Sequence, residues 1–325
     1  MGIMINGKKV AGLMIGGKKI AGAAYGGKVV YRSGGFLPNP IQSWQWSAGS
    51  AVNSVVVNDQ ATAATAVYAG DNGGNLTRLY SESGQKDWSN NSNKLVSKIV
   101  TDNSSWIYTL DNVRKIVSSF YDMGSVVANG WNINLDNYAG GIALDTLGTL
   151  YVTSNSGDLL KLSTDNGSQT GTIAISHNAL GAVATDSQNN VYLDNGQSAV
   201  VKLDSSGNGQ WQQSLYGTPV GLTLDSQDNL YIGDSSGVAT KMDSNGNEIW
   251  KWGTSSGILA IAVDSNFNIY VGERTGYVTK LDSSGKRLWR WKASGSTNSV
   301  AVDSKFNIYV GDANGYVTKL QTANQ

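Results

Sequence analysis

The chain carries one unit of sequence seven times, and its marker is an aspartate six residues before a tyrosine. Successive aspartates are 43, 43, 41, 39, 39 and 39 residues apart, and the first copy has three extra residues before its tyrosine. The pairs are Asp59/Tyr68, Asp102/Tyr108, Asp145/Tyr151, Asp186/Tyr192, Asp225/Tyr231, Asp264/Tyr270 and Asp303/Tyr309. A period of about 40 residues is typical of β-propeller blades. The sequence therefore predicts seven blades.

Each unit divides into four short strand patterns, which is the strand number of a propeller blade. The last unit stops at Leu320 without the tryptophan-bearing fourth strand, whereas residues 41–46, Ile-Gln-Ser-Trp-Gln-Trp, match that strand. We expect residues 41–46 to complete the last blade and close the ring. The fold class predicted is all-β: a seven-bladed propeller of four-stranded blades, preceded by a small N-terminal β-meander.

A base follows each tyrosine, ten residues later in six copies: Arg78, Lys161, Lys202, Lys241, Lys280 and Lys319. We expect Lys115 to be its equivalent in the second copy. The repeated aspartate is interpreted as a turn residue that accepts backbone N–H groups, and the base as cover for an aromatic ring. The recurring tryptophans are interpreted as packing between blades.

Composition narrows the classes of function. The chain has 325 residues with 40 Gly, 3 Pro, 1 His and no Cys, so disulfide frameworks, zinc ribbons and thiol nucleophiles are excluded. The 24 basic and 24 acidic residues balance, yet no acid precedes Asp59. No apolar run approaches a membrane span, and the broken apolar stretches at the start do not fit a signal peptide.

Residues 41–325 resemble known bacterial propeller repeats. Lys-Leu-Asp-Ser-Ser-Gly-Lys-Arg-Leu-Trp at 280–289 is similar to PQQ-like repeats, and Val-Ala-Val-Asp-Ser at 300–304 with Asn-Ile-Tyr-Val at 307–310 resembles NHL-type repeats. The resemblance implies the fold, whereas propellers serve many functions. The quinone dehydrogenases of the PQQ class require calcium ligands and a catalytic aspartate, and no such cluster is recognisable here. We expect no cofactor and no metal.

Departures from the repeat are the better candidates for function. The connection between the second and third blades carries Trp131, Asp136 and Tyr138, and turns after the tyrosines carry Asp234, Glu273, Arg274 and Asp312. Aromatic rings stack on sugars while acids and arginine bind hydroxyl groups, so these seven residues are the predicted ligand site. The alternative for each is an ordinary turn or packing residue.

Residues 1–32 form a second, shorter repeat of period ten. Asn-Gly and Gly-Gly pairs between apolar runs indicate hairpin turns, with Lys8, Lys9, Lys18, Lys19 and Lys28 at or after them. Because so short a segment cannot bury two apolar faces alone, we expect it to serve assembly with itself or with another protein. The predicted domains are the head at 1–32, a linker at 33–40 and the propeller at 41–325.

The head resembles the opening segments of tail-associated proteins of phages that infect lactic-acid-type bacteria. That resemblance implies a virion protein, and the expected function is non-enzymatic receptor binding or adhesion. The expected partners are other tail proteins or further copies of the chain, as a homo-oligomer, and host cell-wall polysaccharide; nucleic acid and membrane insertion are not expected. The alternatives are a scaffold for protein partners, at the bacterial surface or secreted, and a glycan-cleaving enzyme.

Overall fold

The computed structural model describes side chains for residues 39–60, 65–91, 94–102, 104–175 and 181–322, and the backbone of six short strands before them. The six strands pair as three successive antiparallel hairpins, each a separate two-stranded sheet. They are β1 (Ile3–Ile5), β2 (Lys8–Val10), β3 (Met14–Ile15), β4 (Lys18–Lys19), β5 (Gly22–Tyr25) and β6 (Lys28–Arg32). The antiparallel pairing of neighbours agrees with the prediction, and the predicted turns lie outside the described residues.

Seven four-stranded antiparallel sheets follow, as predicted. The first strand of this part of the chain, β7 (Ile41–Ser47), belongs to blade 7. The strands of the first four blades are: blade 1, β8 (Val52–Asn58), β9 (Ala66–Asp71), β10 (Asn75–Tyr80), β11 (Lys86–Asn91); blade 2, β12 (Lys98–Thr101), β13 (Trp106–Asp111), β14 (Ile116–Asp122), β15 (Val127–Asn134); blade 3, β16 (Ala139–Leu144), β17 (Thr149–Ser154), β18 (Asp158–Ser163), β19 (Gln169–Ala174); blade 4, β20 (Val183–Thr185), β21 (Val191–Asp194), β22 (Ala199–Leu203), β23 (Gly209–Ser214).

The remaining blades have the same order. Their strands are blade 5, β24 (Pro219–Leu224), β25 (Leu230–Asp234), β26 (Val238–Met242), β27 (Glu248–Gly253); blade 6, β28 (Ile258–Val263), β29 (Ile269–Glu273), β30 (Tyr277–Leu281), β31 (Arg287–Lys292); blade 7, β32 (Thr297–Val302), β33 (Ile308–Asp312), β34 (Tyr316–Gln321), with β7 outermost. The first strand of each blade contacts the first strands of its neighbours, and β32 contacts β8. These strands line the central channel of a closed ring.

The predicted closure is confirmed. Strand β7 pairs antiparallel with β34, with Ile41 opposite Gln321 and Ser47 opposite Tyr316. Trp44 carries the closure further, because its indole N–H donates to the carbonyl of Ser81 in blade 1 at 2.9 Å. The outer strand of blade 7 thus removes the free edge of β34 and also contacts the neighbouring blade.

Strand direction defines two faces of the ring. The face where β7 begins also carries the turns between first and second and between third and fourth strands; we refer to it as the N-terminal face. The opposite face carries the turns between second and third strands and the connections between blades; we refer to it as the loop face. The chain from residues 1–40 therefore joins the ring on the N-terminal face.

In blades 4 to 7 the repeated residues form one buried unit, as blade 5 shows. Oδ1 of Asp225 accepts the N–H groups of Gln227 and Asn229 at 2.9 and 3.0 Å, and Oδ2 accepts the hydroxyl of Tyr231 at 2.9 Å. The Nζ of Lys241 lies 3.8 Å from the same carboxylate and 5.0 Å from the tyrosine ring centre. The interpretation of the aspartate as a turn residue and of the base as ring cover is confirmed in these blades.

Blade 1 differs, because Asp59 is exposed, the hydroxyl of Tyr68 donates to Asp122 of blade 2, and Arg78 lies over the ring of Tyr80.

The prediction that Lys115 is the repeated base of blade 2 is wrong. Tyr108 lies opposite Ser119, not Lys115, in the pairing of β13 with β14. Lys115 instead adopts a left-handed backbone with φ of 60° in the preceding turn. Its Nζ donates to the carbonyl of Asp136 at 2.8 Å. Blade 2 therefore has a hydroxyl where the other blades have a cation.

The described part of the chain contains no helix, and so none long and apolar enough to cross a membrane.

Candidate functional site

Six of the seven residues in the predicted ligand site lie on the loop face. Asp136 and Tyr138 lie in the connection from β15 to β16, and the others lie at the ends of second strands or in the turn that follows, namely Asp234, Glu273, Arg274 and Asp312. The topology thus gathers them on one face but spreads them around the ring, from the border of blades 2 and 3 to blades 5, 6 and 7.

Three of these acids are buried, and two of them are bonded within their own turns. Oδ1 of Asp234 accepts the N–H groups of Ser236 and Val238 at 3.0 and 2.9 Å. Asp312 accepts two turn N–H groups in the same way, and also the hydroxyl of Ser294 at 2.6 Å. Their exposed fractions are 1% each and that of Glu273 is 0%. These contacts fit turn residues, and a ligand role for them stays a prediction from sequence.

Glu273 anchors a filled cleft between blades 5 and 6. Its Oε2 accepts the hydroxyl of Thr254 and a guanidinium N–H of Arg290, each at 2.6 Å. That guanidinium lies over the ring of Tyr277, 3.6 Å from its centre, and the Nζ of Lys292 lies 4.8 Å from the same centre. Large side chains therefore occupy this cleft. Arg274 is exposed on the adjoining turn.

Trp131 is a packing residue of the repeat. Its indole N–H donates to the carbonyl of Thr164 in blade 3 at 2.8 Å, and its ring centre lies 5.9 Å from that of Tyr108. Trp44, Trp211 and Trp250 make the same bond to the next blade at 2.9, 3.1 and 3.0 Å. The prediction that Trp131 departs from the repeat is wrong, because the bond to the next blade is the repeated feature.

An open cleft of about 380 Å³ separates blades 2 and 3; we name it the 2–3 cleft. It is lined by Ile133, Asn134, Leu135, Asp136, Asn137, Ser154, Ser156, Asp158, Leu160, Leu162, Gly167, Ser168, Gln169 and Thr172. Asp136, from the predicted site, is the member that sequence reasoning found. The other lining residues were missed.

Small side chains at four positions keep the 2–3 cleft open. In β18 and β19, Asp158 lies opposite Ala174 and Leu160 opposite Thr172; in β30 and β31, Tyr277 lies opposite Lys292 and Thr279 opposite Arg290. By this register Ser154, Asp158, Thr172 and Ala174 stand where blade 6 has Glu273, Tyr277, Arg290 and Lys292. The side chains that fill the cleft between blades 5 and 6 are absent from blade 3, and space remains.

The chemistry of the 2–3 cleft is divided between an apolar part and polar walls. Leu160, Leu162 and Ile133 supply the apolar surface, while hydroxyl, amide and carboxylate groups supply the rest. The hydroxyl of Ser156 donates to Asp158 at 2.6 Å, and the Nε2 of Gln169 donates to Thr172 at 2.8 Å. Short polar groups beside apolar surface suit a ligand that has both hydroxyl groups and C–H faces.

Tyr138 and Lys115 lie at the loop-face end of this cleft. The Nζ of Lys115, bonded to the carbonyl of Asp136, lies 5.2 Å from the ring centre of Tyr138. The tyrosine side chain is 51% exposed. Tyr138 is therefore a half-exposed aromatic ring that follows the cleft-lining residue Asn137 and has the Lys115 ammonium over it.

The central channel holds a second cavity, of about 170 Å³, lined by first strands of all seven blades. Lys98, at the start of β12, is its one charged residue among the described residues that line it. Burial lowers the pKa of the Lys98 ammonium. The described residues contain no group of three or more His, Asp or Glu placed to hold a metal ion.

A PQQ-repeat family model, described as outer membrane protein assembly factor BamB, matches residues 124–324. A search of curated proteins found no match. Among solved structures, Raptor from Chaetomium thermophilum superposes with a TM-score of 0.77 at 12% identity, over 89% of this chain and 30% of that one. The chain thus spans under a third of Raptor.

Virginiamycin B lyase from Staphylococcus aureus superposes with a TM-score of 0.73 at 12% identity, over 86% of this chain and 99% of that one. Identities this low establish a shared fold alone. The family match extends over more than half of the chain and begins within blade 2. With its seven blades and this match, the chain belongs to the PQQ-repeat family of the outer membrane protein assembly factor BamB.

Proposed function

We propose that this chain is a non-enzymatic binding protein whose propeller holds a cell-surface saccharide in the 2–3 cleft. The observation that carries the proposal is the combination of an open volume of about 380 Å³ with an apolar floor and hydroxyl, amide and carboxylate walls. A pyranose ring offers the complementary surface, because its C–H face packs on leucine while its hydroxyl groups bond to polar walls.

The rigidity of the ring supports a binding role. The aspartates of the repeat are bonded into turns, and Trp131 bonds blade 2 to blade 3, so the cleft walls are held by two packed blades rather than by long loops. A preformed cleft lowers the entropy lost on binding. The end of β15 and the connection 135–138 supply the wall on the blade 2 side.

The setting that we propose is a phage tail or baseplate, with residues 1–32 bound to other virion proteins or to further copies. Support comes from the sequence resemblance of the head and from the position where the chain joins the ring, on the N-terminal face away from Tyr138. Light scattering of the full chain tests self-assembly: we expect a multiple of 34.3 kDa. A mass of a single copy would contradict assembly through the head.

The binding test uses the labelled full-length chain with intact Gram-positive cells and their purified wall polysaccharides. We expect saturable binding that soluble saccharide competes away, with no release of reducing sugar from the polysaccharide over the same period. Binding without competition by sugar would overturn the saccharide proposal, and steady release of reducing ends would overturn the non-enzymatic one.

A scaffold for protein partners is the second candidate, and one surface favours it. Tyr80, Tyr121, Met123 and Val126 are 40%, 39%, 54% and 53% exposed at the N-terminal face of blades 1 and 2. Contiguous exposed apolar side chains mark protein contacts. The family description, which names an assembly factor, agrees with this candidate. Substitution of Met123 by Lys should then abolish partner binding and leave saccharide binding unchanged.

A further inference from the structure

At one repeated position of the inner strands, a single blade has a charged residue where the other six have a small neutral one. Four residues before the repeated aspartate, blades 3 to 7 have a small residue, and the pairing of β8 with β9 places Ser54 at the equivalent position of blade 1. The residues are Ser54, Gly141, Ala182, Gly221, Ala260 and Ser299. Blade 2 has Lys98 there, and all seven line the channel cavity.

The two serines at this position form hydrogen bonds between neighbouring inner strands. The hydroxyl oxygen of Ser54 accepts the N–H of Ile99 at 3.1 Å, and that of Ser299 accepts the N–H of Val55 at 2.9 Å. A lysine cannot accept such a bond, because an ammonium has donors only. Lys98 is therefore not explained by the packing role of its position.

The ammonium of Lys98 also has no acidic counterpart in the cavity. Among the described residues, those that line the cavity with Lys98 are neutral, and its Nζ forms no ion pair or hydrogen bond with another described group. The side-chain amides of Asn53 and Asn298 already donate to Asn72 and to the carbonyl of Val52, at 2.8 and 3.0 Å. The ammonium is thus the positive group that remains available.

The ammonium of Lys98 is half-buried among neutral groups, and such a charge can be relieved by losing the proton or by binding a counter-ion. The cavity of about 170 Å³ has room for roughly five water volumes. That space admits an oxyanion of a few heavy atoms.

We propose that the central channel binds a small oxyanion, of the carboxylate or phosphate class, on the ammonium of Lys98. The anion forms a charge-assisted hydrogen bond with Nζ, and water in the cavity supplies the rest of its shell. This site is separate from the 2–3 cleft, so its failure would leave the saccharide proposal intact.

The test is calorimetric titration of the full-length chain with inorganic phosphate and, in a second arm, with acetate at constant ionic strength. We expect saturable binding of at least one anion, at one site per chain. The K98M variant should lose it and the K98R variant should keep it. K286M is the matched control, because Lys286 is exposed in a turn of blade 6, and we expect unchanged binding.

Stability gives a second readout that does not depend on affinity. Because Lys98→Met removes an uncompensated charge, the variant should be at least as stable as the wild type without anion, and phosphate should raise the melting temperature of the wild type more than that of K98M. Equal saturable binding in wild type and K98M, or no saturable binding by the wild type, would overturn the proposal.

Discussion

The buried repeat aspartate of blades 3 to 7 should contribute more to stability than its turn requires, and blade 4 offers the sharpest test. Oδ1 of Asp186 accepts the N–H groups of Gln188 and Asn190 at 2.9 and 2.8 Å. Oδ2 accepts the hydroxyl of Tyr192 at 3.0 Å and lies 3.3 Å from the Nζ of Lys202. The carboxylate side chain is 1% exposed and that of the lysine 11%.

Asp186→Asn keeps the size of the side chain and removes the charge that compensates Lys202. Loss of one partner of a buried pair costs about 3–5 kcal/mol, because the other charge stays buried. We expect that loss in the free energy of unfolding, measured by urea denaturation followed by tryptophan fluorescence. In the double variant D186N/K202M the loss should be smaller than the sum of the single losses by about 1–3 kcal/mol.

Asp204 in the same blade is the matched control. It accepts the N–H groups of Ser206 and Asn208 at 2.9 and 2.8 Å, in the same kind of turn, but it has no buried cation beside it. Asp204→Asn should lower the free energy of unfolding clearly less, because the amide oxygen of asparagine still accepts the turn N–H groups and no buried cation loses its partner. Equal losses in D186N and D204N would refute the reasoning that burial and the lysine make the difference.

The contribution of the Asp186–Lys202 pair to stability depends on pH. Burial alone raises the pKa of Asp186, but the hydrogen bonds from Asn190 and Tyr192 and the charge of Lys202 more than reverse this, so the pKa lies below its usual value. A lowered pKa in the folded state adds stability above the unfolded pKa of about 3.9, and that stability is lost as pH falls through the folded value. The difference between wild type and D186N should therefore shrink in acid.

Three further predictions follow from packing and burial. Trp44→Ala should destabilise the ring by about 3 kcal/mol in urea denaturation, since it removes the packing and the bond that close it; an unchanged midpoint would contradict closure by β7. Burial raises the pKa of both Tyr108 and Tyr151 to about 12, so stability present below pH ~10 should be lost as pH rises toward 12, and absorbance at 295 nm should show neither ionising before the protein unfolds. Gly276→Ala places a Cβ 2.3 Å from the carbonyl oxygen of Gly295, whereas at Gly49, with a similar φ of 83°, nothing lies within 4 Å; the first change should lower the melting temperature clearly more than the second.

The repeat made the architecture predictable because it marks strand ends directly. An aspartate that must begin a turn and a tyrosine that must be buried recur once per blade, so blade number and closure by residues 41–46 follow from the spacing of these residues. Lys115 was misplaced because sequence spacing does not reveal that the turn after β13 shifts the register and puts Ser119 opposite Tyr108.

The candidate site was harder to predict, because the 2–3 cleft results from the absence of the large side chains that fill the cleft between blades 5 and 6. Thr172 and Ala174 are unremarkable in sequence, and they become informative when the strand register aligns them with Arg290 and Lys292. A visible signal was present nearby: Gly171 lies opposite Lys161, at the position where Trp250 and Trp289 stand in blades 5 and 6. Of the residues that the sequence singled out here, Asp136 lines the cleft, whereas Trp131 belongs to the repeat.

The 2–3 cleft can be filled by a substitution that the fold already tolerates in blade 6. Thr172→Arg places an arginine at the register position of Arg290, within the cleft, and Gln212→Arg places the same residue at the equivalent position of blade 4. Both changes add one positive charge to an exposed site on an outer strand, so general charge effects are equal.

The most direct test of the account is the affinity of these two variants, as full-length chains, for the wall polysaccharide that the wild type binds. We expect T172R to lose at least tenfold in affinity while Q212R binds like the wild type, with both proteins folded by circular dichroism. Equal affinity of T172R and wild type would show that the 2–3 cleft is not the saccharide site.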